Sequence, residues 1–133
     1  MPLNERIDAM KKIGDGLLMT EKYKDSIEYY RRVIDATSGQ DRTPLHSDLA
    51  ETYFALGYAL HAIDDLEGAK KALEQVLVLE PQHDRAYNQL GLVMAQMNKS
   101  DEAKALLERA ISINNNNLQA HNNLGNLYQL GQK

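Results

Sequence analysis

The chain of 133 residues has no cysteine. That absence removes thiol nucleophiles, disulfides and cysteine-zinc sites, and it leaves the redox compartment undefined. Charge of one sign is also scarce: there is no stretch of five or more basic residues, and 15 Lys+Arg stand against 19 Asp+Glu. The counterion release that drives nucleic-acid binding therefore has no source, and DNA and RNA are not expected partners. Long apolar runs are missing too. The opening MPLNERIDAM carries early charges, so neither a secretion signal nor membrane insertion is expected, and a cytoplasmic location is the default. No serine lies in a nucleophile-elbow context, no glycine-rich phosphate loop occurs, and His46, His61, His83 and His121 have no partners at metal-ligand spacing. Catalysis, a metal and a cofactor are accordingly not expected.

What the chain does have is a core and a period. With 43% hydrophobic and 26% charged residues it has the balance of a single globular domain rather than a disordered chain. A leucine-glycine step occurs in YFALGYAL, in YNQLGLVM and in HNNLGNLYQLGQK, and its glycines, Gly57, Gly91 and Gly125, follow one another at intervals of 34 residues. Other types recur with them. Tyr53, Leu56, Leu60, Ala69, Leu73, Val76 and Pro81 in one unit correspond to Tyr87, Leu90, Met94, Ala103, Leu107, Ala110 and Asn115 in the next.

The spacing within a unit is helical. Tyr53, Leu56, Gly57 and Leu60 form one stripe, and Leu66, Ala69, Leu73 and Val76 form a second after the break at Asp64-Asp65, so each unit is two antiparallel helices. A glycine inside the first helix costs about 1 kcal/mol relative to alanine, and a close approach between Gly57 and Ala69, small against small, would compensate it. Asn98 is expected in the sharp turn of the next unit, because asparagine tolerates the left-handed conformation better than most residues. A more worn copy lies upstream, with Gly14 as its glycine and Ser26 in the place of Ala69 and Ala103. From Gly14 to Gly57 the separation exceeds the period by nine residues, so SGQDRTPLH holds an insertion. Thr43 and Pro44 read as the N-cap and first residue of the following helix. Charge is uneven: residues 50–83 carry two lysines and six carboxylates, a face expected to be solvated where Glu67, Lys70, Lys71 and Glu74 lie opposite the apolar stripe.

With Leu56-Gly57, Ala69 and Pro81 in one copy and Leu90-Gly91, Ala103 and Ala110 in the other, the chain resembles the tetratricopeptide repeat family. The resemblance implies an all-α solenoid of antiparallel helix pairs: a degenerate first repeat at 7–40, an insertion at 41–49 that partly extends the next helix, full repeats at 50–83 and 84–117, and a half repeat or capping helix at 118–133. Because Tyr128 and Leu130 would be partly uncovered in that last helix, a truncated longer array is expected there, with a true capping helix as the alternative.

The resemblance further implies a concave groove lined by the first helix of each repeat. Carried onto this sequence, the groove positions include Lys11, Lys12 and Asp15 in the first unit and Glu51, Phe54, Ala55, Tyr58 and His61 in the second. Arg85, Asn88, Gln89 and Leu92 follow in the third, and Gln119, Asn122, Asn123 and Asn126 in the last. The groove is thus charged at one end, aromatic in the middle and rich in amides at the other. Family members that clamp a terminal carboxylate use five polar positions, of which Lys11 and Arg85 fit while Asp15, Ala55 and Gln89 do not. The expected function is a non-catalytic scaffold that binds a peptide or protein segment through Lys11, Phe54, Tyr58, Arg85, Asn88, Gln89, Asn122, Asn123 and Asn126. A carboxamide matches both the N–H and the C=O of an extended backbone; equally, the amides could only solubilise a helix face. Phe54 and Tyr58 could be binding anchors or could pack against the first repeat. Self-association through the C-terminal half repeat, and a place in a larger adaptor or enzyme, remain the alternatives.

Overall fold

The computed structural model describes residues 2–39 and 46–131. Among the described residues there are seven helices and no strand: α1 Leu3–Met19, α2 Tyr23–Thr37, α3 His46–Ala62, α4 Leu66–Leu79, α5 Asp84–Gln96, α6 Ser100–Ile113 and α7 Leu118–Gly131. The expected helix start at Thr43-Pro44 lies outside the described residues.

Three turns are built alike, and local chemistry explains them. Glu21, Asp64 and Asn98 have φ of 61°, 67° and 63°, the left-handed conformation that commonly ends a helix. Across each turn the next amide reaches back six residues inclusive: Lys22 N donates to Leu17 O at 2.8 Å, Asp65 N to Leu60 O at 2.9 Å and Lys99 N to Met94 O at 2.9 Å. The sequence singled out Asn98 alone. Aspartate shares its tolerance of this region through a short polar side chain, whereas Glu21 has no such help and is carried by the turn. Side chains then start several helices: Asp65 Oδ1 accepts from Gly68 N at 2.9 Å, His83 Nδ1 from Ala86 N at 3.0 Å and Asn117 Oδ1 from Ala120 N at 3.0 Å.

Within each pair the helices meet at the glycine. The leucine at 73 lies nearest to Gly57, its Cγ 2.9 Å from where a Cβ would stand, with Ala69 O at 3.6 Å. At Gly91 the corresponding distances are 2.8 Å to Leu107 Cγ and 3.3 Å to Ala103 O, and at Gly14 the ring of Tyr30 takes the same place at 2.8 Å. The expected contact of small with small is therefore only half of the arrangement. The alanine lets the backbones close up, and the glycine makes room for a large side chain one turn further on. Tyr30, Leu73 and Leu107 are fully buried as a result, each leucine contributing roughly 1.5–3 kcal/mol through its burial. Ser26, Ala69 and Ala103 are all at zero exposure, as the worn first copy requires; Ser26 Oγ satisfies itself on Tyr23 O at 2.7 Å.

The order of contacts gives the array its curvature. Consecutive helices pack in series, and α1 also touches α3, α3 touches α5 and α5 touches α7, while no even-numbered helix touches another among the described residues. Helices that crowd their next-but-one neighbour lie on the inside of a bend. The concave face is thus made by α1, α3, α5 and α7.

Candidate binding groove

On the concave face, α3, α5 and α7 enclose a groove of about 430 Å³. Tyr58 and His61 form one wall, Gln89 and Leu92 the floor beside the buried Asn88, and Gln119, Asn122 and Asn123 the other wall. None of these side chains carries a carboxylate, ammonium or guanidinium group. Tyr58 is 45% exposed, which leaves an aromatic face against solvent in one wall of an amide-lined cleft. His61 Nε2 donates to Gln96 Oε1 at 2.7 Å, which fixes the ring at the edge.

The amides are organised rather than merely exposed. Asn88 is buried, accepts at Oδ1 from Asn123 Nδ2 at 2.9 Å, and donates from Nδ2 to Gln119 Oε1 at 3.4 Å. One carboxamide therefore ties α7 to α5. The run NNNN, which the sequence marks only as a changed boundary, adds a second tie: Asn114 Nδ2 and Asn117 Nδ2 both donate to Asp84 Oδ2, at 3.1 and 3.0 Å. The groove is in place because α7 is held at both its loop and its inner face.

Other residues singled out in the sequence are placed differently. Lys11 is paired with Glu51, and Asp48 lies 3.9 Å from its Nζ, so α1 is bridged to α3. Burial opposes its charge, but the hydrogen bond to Glu51 and the charges of Glu51, Asp48 and Asp15 outweigh it, and its pKa is raised above 10.5. Asp15 accepts the Tyr30 hydroxyl at 2.6 Å, and Lys12 pairs with Asp8 at 3.0 Å. The charged end of the concave face is therefore largely occupied by its own ion pairs. Phe54 packs against the start of α5: its ring stacks on His83 with centroids 5.1 Å apart, and the Arg85 guanidinium lies 4.7 Å over it. Asn126 is exposed on α7 and does not line the groove. His61 and Gln119, which the resemblance also placed among the groove positions, line it directly.

The fold and the groove together define a helical-repeat solenoid with a concave, amide-lined cleft. Residues 60–129, more than half of the chain, match the family model of the tetratricopeptide repeat, and the chain belongs to that family. No curated protein matches its sequence. Among solved structures it is similar to MamA, at 28% identity and a TM-score of 0.83, over 95% of this chain and 68% of that one. It is similar to the first tetratricopeptide repeat domain of Spaghetti (RPAP3), bound to the HSP90 peptide SRMEEVD, at 21% identity and a TM-score of 0.83, covering 97% and 95% of the two chains. A third likeness is to the Hsp90 co-chaperone Cns1 from Saccharomyces cerevisiae, at 20% identity and a TM-score of 0.91, over 99% of this chain and 41% of that one. At the last two identities the likeness is one of fold. No described helix is long and apolar enough to cross a membrane.

Proposed function

We propose that the chain is a non-catalytic protein-interaction scaffold that holds an extended peptide or protein segment in the groove between α3, α5 and α7. The observation that carries this reading is the convergence of Tyr58, Gln89, Asn122 and Asn123, from three separate repeats, on one cleft of about 430 Å³. Tyr58 offers an aromatic anchor with a polar tip, and the amides offer paired donors and acceptors to a backbone. Phe54 supports Arg85 at the rim, so a side chain of the ligand can meet an ordered guanidinium there.

The same geometry argues against an acidic tail such as SRMEEVD as the ligand. A chain terminus of that kind needs several cations in the groove, yet of the five clamp positions Arg85 alone offers one at the rim: Lys11 is held by Glu51 and Asp48, and Asp15, Ala55 and Gln89 offer none. Ligands with a neutral central segment fit the lining. Selection from a displayed library of random dodecapeptides, followed by fluorescence anisotropy of a selected peptide and of SRMEEVD, tests the reading. Enrichment of neutral segments whose binding is weakened by Tyr58→Ala is the expected result. Lack of any enrichment, or equal affinity of the Tyr58→Ala protein, would overturn it.

A further inference from the structure

Asn88 is only 2% exposed, and both ends of its side chain are spent on residues of α7. A carboxamide has one donor end and one acceptor end. Whichever way Asn88 is turned, it must accept from one of its two neighbours and donate to the other. In the structure Asn123 gives its NH2 to Asn88 Oδ1 at 2.9 Å and Gln119 gives its carbonyl oxygen to Asn88 Nδ2 at 3.4 Å. Asn123 is then left with its oxygen for the groove, and Gln119 with its NH2. A free flip of either outer amide would set donor against donor or acceptor against acceptor over a buried group, at the cost of an unsatisfied polar atom.

We propose that Asn88 sets the hydrogen-bond polarity of the groove, forcing Gln119 and Asn123 to present opposite ends, so that the site takes a neutral peptide group and discriminates against a carboxylate. The inference rests on the reading of the groove as a peptide site and adds its selectivity. One donor beside one acceptor matches the C=O and N–H of a peptide unit. A carboxylate would satisfy Gln119 but set its oxygens against the oxygen of Asn123. A guanidinium would satisfy Asn123 but meet the NH2 of Gln119.

Two substitutions should replace the donor with a second acceptor. An aspartate at 88 only accepts, so both Gln119 and Asn123 would turn their NH2 groups onto it and show two oxygens to the groove. Gln119→Glu, on an exposed side chain that leaves the core untouched, would still accept from Asn88 and would likewise show an oxygen in place of the NH2. The test uses the whole chain in three forms, wild type, Asn88→Asp and Gln119→Glu, and a displayed library of random dodecapeptides. Wild type should enrich peptides neutral at their centre, while both variants should enrich arginine or lysine and bind the wild-type-selected peptide about tenfold more weakly, the scale of one lost hydrogen bond. Unchanged affinity for that peptide in Gln119→Glu would overturn the proposal.

Added charge could itself attract cations, so side-chain amide resonances in the ligand-free protein supply a readout that charge does not mimic. A hydrogen-bonded NH2 on Asn123 and a solvent-exposed NH2 on Gln119 are expected in the wild type, and hydrogen-bonded NH2 groups on both in Asn88→Asp. Solvent-exposed NH2 groups on both residues in the wild type would overturn the orienting role. Should the wild type enrich no peptide at all, peptide binding and its selectivity are both overturned, while the same amide resonances still decide whether Asn88 orients its neighbours.

Discussion

Leu107 lies directly across Gly91, with its Cγ 2.8 Å and its Cδ2 2.9 Å from the point a Cβ would occupy. Any side chain at 91 must displace a fully buried leucine or push α5 from α6, and Ala103 O at 3.3 Å blocks the remaining space. Gly91→Ala is expected to lose about 1 to 3 kcal/mol by overpacking, more than the about 1 kcal/mol that alanine returns as helix propensity. Gly91→Leu should lose more. Gly125, at the same place in the repeat, has nothing within 4 Å. Gly125→Ala should therefore gain up to about 1 kcal/mol. Urea denaturation of the two alanine variants decides the matter: changes of the same sign would show that the period does not carry the notch.

Tyr30 makes the corresponding contact over Gly14 and adds a polar one, its hydroxyl donating to Asp15 Oδ1 at 2.6 Å. Burial first, and then the carboxylate of Asp15, push the phenol well above its ordinary 10.0. A group whose pKa rises on folding stabilises the protein fully below the unfolded value and loses that contribution as pH climbs towards the folded one. Lys11, raised above 10.5, acts in the same direction. Stability should thus be insensitive to these two groups at neutral pH and fall above pH 10. Tyr30→Phe keeps the ring over Gly14, costs about 1.5 kcal/mol at neutral pH, and flattens the alkaline decline. Thermal melts between neutrality and high pH would expose an unaltered slope in Tyr30→Phe if the hydroxyl were idle.

Phe54 and Tyr58 lie one helical turn apart but meet different surroundings, the first between His83 and Arg85 and the second against the open groove. Phe54→Ala should lower stability by about 2–3 kcal/mol, towards the lower end for aromatic truncations because the ring is only partly buried. Tyr58→Ala should leave the melting temperature nearly unchanged and weaken a selected peptide by about 2 kcal/mol, as for a binding anchor. Calorimetry for stability and anisotropy for affinity separate the two; a Tyr58→Ala protein that melts early would assign that ring to the core.

Asp84 holds the asparagine loop before α7 by accepting from both Asn114 and Asn117. Asp84→Ala removes both bonds and should cost about 1–2 kcal/mol. The local effect is the sharper test, because α7 is the last described helix and packs only on α5 and α6. Hydrogen exchange should speed up in α7 and hardly change in α3 and α4. Uniform acceleration throughout the chain would mean that α7 opens only with the whole array.

The period of 34, the helix pairs, the left-handed turn at Asn98 and the burial of the small residues at 26, 69 and 103 were legible in the sequence alone. Each arises from interactions between residues close in the chain or from a pattern that repetition makes visible. The groove positions of Tyr58, Gln89, Asn122 and Asn123 came from the resemblance to the tetratricopeptide repeat, carried onto the equivalent residues of each unit. Tertiary structure alone decided which of those side chains remain available. Lys11 is matched by Glu51 from 40 residues away, Phe54 is covered by His83 and Arg85 at the start of α5, and Asn88 is shut beneath Asn123, 35 residues on. Periodicity fixes the face on which a residue stands, whereas its partners across that face depend on the length and charge of unrelated side chains brought together by the curvature of the array.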